Sequence, residues 1–193
     1  MKGMFDEDKG EGRGWKLALL TFIVLSSCFT FVYSSYMYFT ARMIGDDVYV
    51  SWVRLERSLE AKAEYSALLA GYLVQRSGAE REMFDRIFSA WDDILSADNP
   101  RKKMEAGQIA NNESYGIIAL AKADSVNLNK RVQRILEGLE SLELSLAADI
   151  ENYNMSVSEL HSSADEFYFK GMFIALTGCG EFDSFSVWRQ TED

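Results

Sequence analysis

From Leu17 to Ala41 the chain carries no charged side chain, a run of about 25 residues. About 20 apolar residues in a helix already cross the hydrocarbon core of a bilayer, where the backbone must satisfy its own hydrogen bonds. The run therefore predicts a transmembrane helix over 17–41. Its borders agree: Trp15 and Lys16 stand at one end, and Tyr33, Tyr36, Tyr38 and Arg42 gather at the other, as amphipathic rings and snorkelling cations do at headgroups.

Two other uses of such a run fit these residues less well. A cleaved secretory leader has a basic start and small residues before the cut, whereas Asp6, Glu7, Asp8 and Glu11 precede this run and Phe39 sits at the candidate cleavage site. Leu25-Ser26-Ser27-Cys28 resembles a bacterial lipobox, but Phe29 to Ala41 stay apolar after it, which favours a spanning anchor over a lipidated Cys28. The expected place is a single pass of the cell (inner) membrane or of a membrane derived from it, and Lys2, Lys9, Arg13 and Lys16 before the span, against Arg42, Arg54 and Arg57 after it, predict the N-terminus inside. Ser26, Thr30 and Ser34 share one face of this helix and are expected to bond their own backbone; close approach of another helix is the alternative.

The chain as a whole is acidic, with 30 Asp and Glu against 20 Lys and Arg. The bases are scattered, so the basic footprint of a nucleic-acid binder is missing. Pro100 is the sole proline, and glycines are sparse between 46 and 170, which permits long helices. Cys28 and Cys179 lie too far apart in this arrangement to form a disulfide framework. A lone His161 removes the usual ingredient of triads and multi-histidine metal sites.

The expected architecture is all-α: the membrane helix, then an antiparallel, up-down four-helix bundle with a long C-terminal helix. Gly45 is expected to end the membrane region, with Asp46 or Asp47 capping a new helix whose stripe runs Val48, Trp52, Leu55, Leu59, Leu69 and Leu73. Ser77 and Glu80 form a capping box for a second helix that buries Phe84, Ile87, Trp91 and Ile94 or Leu95. Asp98-Asn99-Pro100 supplies a turn and a helix start. The third helix, about 101–122, has a stripe of Met104, Ile109, Ile117 and Ile118, diluted by Gly107, Asn111, Asn112 and Gly116, so local irregularity is expected.

The fourth helix is the clearest. Val132, Ile135, Leu139, Leu142, Leu146, Ile150, Tyr153, Val157, Leu160, Ala164 and Phe167 recur at threes and fours, a coiled-coil-like seam of roughly 50 Å with one stutter across Leu142, Leu146 and Ile150. Short connections return this helix toward the bilayer. There Phe167-Tyr168-Phe169 and Met172 to Leu176 turn apolar again, too short to span, and are expected to pack as core, with the membrane interface as the alternative. The domain reading is a polar N-terminal tail at 1–16, the span at 17–41, the bundle at 46–170 and an apolar-then-acidic tail at 171–193.

No catalytic, cofactor-binding or metal-ligating residue is assigned. His161 with Asp165 one turn on lacks the glutamate three residues earlier that a di-metal bundle requires, since Ser158 stands there. Glu137, Glu140 and Glu143, like Asp92 and Asp93, read as solvated faces. Tyr153 reads as a core ring with its hydroxyl at a polar edge, and Asn154 as a hydrogen bonder to a neighbouring helix. Gly10, Gly12 and Gly14 have no preceding strand and no phosphate-loop lysine, so nucleotide binding is not expected.

The order of these motifs resembles the LemA family of bacterial membrane-anchored helical proteins. Trp52, Leu55 to Leu59 and Lys62-Ala63-Glu64 look like its tryptophan-led first helix, and Glu80-Arg81-Glu82 with Ala90 like its next element. Glu143, Leu146, Tyr153-Asn154 and Val157 resemble its glutamate and tyrosine-asparagine pattern, and Gly178, Phe182 and Phe185 its glycine-aromatic ending. The chain departs from the family where Ala67 and Leu68 replace proline and asparagine, Ile150 an arginine, and Leu160-His161 a second tyrosine-asparagine pair. It resembles a divergent member. The resemblance implies a membrane-tethered bundle without catalytic residues; some relatives are associated with membrane remodelling in magnetosome-forming bacteria. The expected function is a non-catalytic scaffold or protein-interaction module that contacts the lipid bilayer through 17–41 and a protein partner or a second copy through the bundle. The alternative is a sensory or ligand-binding helical ectodomain.

Overall fold

The computed structural model describes residues 8–77, 81–97, 99–123, 130–167, 169–180 and 182–185. All the secondary structure among them is helical: α1 (Asp8–Ser77), α2 (Arg81–Ser96), α3 (Pro100–Ala123), α4 (Lys130–Glu166) and α5 (Lys170–Thr177). α1 is one uninterrupted helix of 70 residues, about 105 Å at 1.5 Å per residue. One stretch of it is long and apolar enough to cross a membrane, and protein covers none of that stretch's most apolar part. The hydroxyls of Thr21 and Thr30 donate to the carbonyls of Leu17 and Ser26, both at 2.9 Å, the backbone use expected of hydroxyls in a membrane helix.

The expected break at Gly45 does not occur, and Asp46 and Asp47 lie inside the helix rather than capping one. A single glycine lowers helix propensity by only about 1 kcal/mol, which packing on both sides outweighs. Gly45 serves a different purpose: a Cβ there would lie 2.6 Å from the carbonyl oxygen of Thr177. The glycine admits the backbone of α5's last turn.

α1 is the common wall. Along it α4 runs in the opposite sense, with Trp52 beside Tyr153, Ser58 bonded to Asp149, Lys62 to Glu143, and Tyr65 over Gly138. α3 follows the same sense as α1, through Glu56 with Lys103, Leu59 over Gly107 and Lys62 with Asn111. α2 packs on α1 where Phe84 meets Gly71, and on α3 through Arg86 with Glu113 at 2.8 Å.

Each helix buries most of the stripe its sequence announces, with corrections. In α2 Ile94 is buried and Leu95 exposed. The Ser77–Glu80 capping box falls outside the described residues. Asn99 caps α3: its Oδ1 accepts from the Arg101 amide at 2.7 Å, with Pro100 as the first helical residue. α3 is continuous rather than irregular, and its buried stripe is Met104, Gly107, Ala110, Asn111, Ser114, Ile117, Ile118 and Ala121, while Ile109 is exposed. Of the residues that dilute the apolar pattern, Gly107 and Asn111 face α1, where Gly107 lets Leu59 approach, whereas Gly116 lies against Met83 of α2 and Asn112 is exposed. In α4 Leu136 is buried and Ile135 only partly so.

The core has a part proximal to the charge-free run and a part distal to it, with a smaller cluster of Ala63, Ala90, Ile94, Ala106 and Ala110 between α1, α2 and α3. The proximal cluster joins Met37, Ala41, Val48 and Trp52 of α1 to Tyr153, Val157, Leu160 and Ala164 of α4, and also to Phe173, Phe182 and Phe185. Phe173, Cys179, Phe182 and Phe185, placed by the sequence in an apolar-then-acidic tail, thus belong to the core, the packing expected for the apolar stretch around Phe173. The distal cluster joins Leu69, Ala70 and Leu73 to Ile87, Ile117, Ala121, Val132, Leu136 and Leu139.

Candidate functional site

Between the two clusters lies a layer of polar side chains, centred on Lys62 of α1. Lys62 is 2 % exposed. Its Nζ donates to Asn111 Oδ1 of α3 at 2.7 Å and to Glu143 Oε1 of α4 at 3.3 Å, and lies 4.4 Å from the centre of the Tyr115 ring. Ser66, one turn further on α1, and Ser114 of α3 are fully buried as well. Ser114 donates to the Asn111 carbonyl at 2.6 Å, whereas Ser66 Oγ is the one buried side-chain polar atom without a partner among the described residues.

An ammonium taken out of water is unfavourable unless charge and hydrogen bonds compensate. Burial pulls the Lys62 ammonium below its ordinary pKa, and the Glu143 carboxylate opposes that shift. Glu143 is therefore not part of a solvated face: it is half-buried and points at α1. Its turn coincides with the stutter, where Leu142 is only half-buried and the apolar seam yields to the polar layer. Glu137 and Glu140 do lie exposed; Glu140 pairs with Lys122 of α3 at 2.8 Å. Lys62, Asn111 and Glu143 lock the register of three helices at one level. The sequence reading missed this, although a lysine inside the α1 stripe, opposite an asparagine inside the α3 stripe, was its signal.

A second constellation fastens the C-terminal segment. The Tyr153 hydroxyl donates to the Asp183 carbonyl at 2.7 Å. Asn154 donates from Nδ2 to the Phe185 carbonyl at 3.0 Å and accepts from the Phe185 amide at 2.7 Å. Asn154 thus binds the backbone of the tail and not a neighbouring helix, as was expected of it. An amide side chain carries both a donor and an acceptor and so can replace one rung of a strand pair. The rings of Trp52, Tyr153 and Phe182 meet pairwise with centroids 5.7, 5.9 and 6.5 Å apart, in the tilted and edge-on geometries that aromatic quadrupoles favour. Gly178, in the left-handed region at φ 70°, turns the chain from α5 into this segment. Burial raises the Tyr153 phenol and the Cys179 thiol above their ordinary ranges. Cys28 and Cys179 are both unpaired.

The third feature is a groove of about 390 Å³ at the distal end, lined by Leu68, Gly71 and Tyr72 of α1, Phe84, Phe88 and Trp91 of α2, and Arg131 and Ile135 of α4. Phe88 stacks on Phe84 and meets Trp91 edge-on, and is half exposed. A polar hollow of about 440 Å³ lies at the α2–α3 turn, between Asp93 and Lys102. Neither is lined by Lys62. His161 is exposed, and its neighbour Asp165 is ion-paired with Lys170. Among the described residues no three His, Cys, Asp or Glu side chains gather to hold a metal ion.

Compared with known proteins, the chain matches no family model and no characterised protein at a significant level.

Proposed function

We propose that this chain is a non-catalytic scaffold at a membrane: an antiparallel, up-down four-helix bundle, carried on a single-pass helix in the cell (inner) membrane with the N-terminus inside, that engages a protein partner or a second copy of itself. The carrying observation is the continuity of α1. One helix leads from an uncovered apolar run into the wall on which every other helix packs, so the domain is held at a set height and angle rather than on a flexible leash. The bundle's polar layer fits a rigid display element, because it specifies register without presenting a reactive group to solvent. The residues behind the LemA resemblance also support this reading: Trp52, Tyr153, Asn154, Val157, Phe182 and Phe185 meet around one proximal core.

The test is a photo-cross-linking side chain at Phe88 of the full chain in intact membranes, with Leu144 as an exposed control. A discrete adduct formed from Phe88 and absent from Leu144 is the expected result. Equal, diffuse labelling at both positions overturns it. The groove favours a second reading, a ligand-sensing ectodomain, since its volume falls within the range of small-molecule pockets. A rise in unfolding temperature with an apolar solute, without any protein adduct, separates that reading from the scaffold.

A further inference from the structure

The contacts between α1 and α4 share one register, from Tyr65 over Gly138 to Trp52 beside Tyr153. Continued toward the N-terminus of α1, that register brings Ala164 level with Ala41 and Phe167 level with Tyr38. Ala41 and Ala164, both fully buried, and Met37 belong to the same cluster, against which Phe167 packs. The last turn of α4 therefore lies beside the last turn of the charge-free run. α5 then retraces this height: Phe173 stacks on Phe167 with ring centres 4.5 Å apart, and Thr177 reaches Gly45. The eight residues of α5 rise about 12 Å, the same as the stretch of α1 from Met37 to Gly45. The corner between α4 and α5 is the lowest point of the folded domain.

Phe169 and Met172 stand exposed at this corner, at 58 % and 52 %. They share their level with Tyr36, Tyr38 and Phe39, the exposed aromatic border of the span. A charge-free run of about 25 residues exceeds the roughly 20 needed to cross hydrocarbon, so its final turn stands at the acyl-chain boundary or among the headgroups. We propose that the α4–α5 corner is a second lipid-contact site, in which Phe169 and Met172 enter the interface of the bilayer that α1 crosses. The occupant is the boundary between headgroups and acyl chains. The charged neighbours Asp165, Glu166 and Lys170 are all exposed and can remain in water. The domain is then held by two feet, the span and the corner, which fixes its rotation as well as its height.

This inference rests on α1 crossing the membrane. Nitroxide side chains placed singly at Phe169 and Met172 of the full chain, in a Cys28→Ser background and reconstituted in phosphatidylcholine–phosphatidylglycerol vesicles, test it. Further labels at Val24 and Leu144 serve as references. The expected result is several-fold greater collision with oxygen than with a water-soluble nickel chelate at 169 and 172, as at Val24 and opposite to Leu144. If 169 and 172 match Leu144 while Val24 stays in lipid, the corner stands clear of the membrane and the proposal fails. If Val24 also meets the chelate, the span reading fails and the proposal fails with it. Two labelled positions keep the test decisive when one label disturbs the fold.

Discussion

The halves of the folded domain proximal and distal to the charge-free run solve the same problem with different material. In the proximal half α1 and α4 are sealed by α5 and residues that follow it, and Phe173, Cys179, Phe182 and Phe185 are all buried. In the distal half α2 covers α1 and α3 and leaves the groove toward α4 open, with Phe88 half exposed. The same long α4 is thus closed at one end and accessible at the other. A helix pair hides its apolar seam only where further chain is long enough to reach it. The proximal half is accordingly the candidate for anchoring and the distal half for recognition.

Substituting Trp52 by Ala is the strongest way to break this contrast. It empties the centre of the aromatic cluster, a loss of about 3–5 kcal/mol. Thermal unfolding of the full chain in detergent should fall steeply. Amide exchange at 182–185 should rise well before that of α2.

Next in size is the boundary between the halves. Asn111→Leu removes the closest hydrogen-bond acceptor of a buried ammonium, with an expected loss of about 3 kcal/mol in denaturant unfolding. Adding Lys62→Met should recover most of that loss, because the fully buried charge is then gone and the Glu143 carboxylate that it leaves behind still reaches water. Non-recovery would mean that the layer contributes through packing rather than charge.

The pH dependence sharpens the same point. Lys62 has a lowered folded-state pKa, so as pH rises toward the unfolded value the unfolded chain holds the proton longer than the folded one. Stability contributed by this group therefore increases with pH. Between pH 7 and 10 the wild type should gain stability relative to Lys62→Met, as read from paired denaturation curves. Above pH 10 the raised Tyr153 pKa works the other way, since the unfolded phenol ionises first.

The smallest effect belongs to the distal groove. Phe88→Ser should change stability by about 1 kcal/mol or less, the behaviour of a half-exposed ring. It should abolish cross-linking to a partner from a neighbouring groove position such as Leu68. A stability loss as large as that of Trp52→Ala would show that the groove is core and not a recognition surface.

Much of the fold was legible because its signals are local. The charge-free run, the threes and fours of α4 and the Asn99-Pro100 start each depend on spacing within one segment. The places where the reading departed from the structure depend on neighbours. Gly45 reads as a helix end by propensity, yet it stays helical because Thr177 packs against it. Asn111 and Gly107 read as dilution of a stripe, yet they are the stripe, because α1 brings Lys62 and Leu59 to them. The site was legible in part: Tyr153 and Asn154 stood out by position, but their partner, the backbone at 183–185, carries no side-chain signature.

By itself the sequence determined that this protein is helical, that one segment suits hydrocarbon, and which face of each helix avoids water. Helical periodicity and hydropathy are properties of a segment alone, so no partner is needed to read them. The tertiary structure decided that the apolar run and the domain share one helix, that Lys62 meets Asn111 and Glu143, and that Phe182 and Phe185 close the proximal core. Those outcomes depend on which surfaces meet. A buried charge or a close-approach glycine is favourable only beside the particular atoms that the packing of other helices supplies.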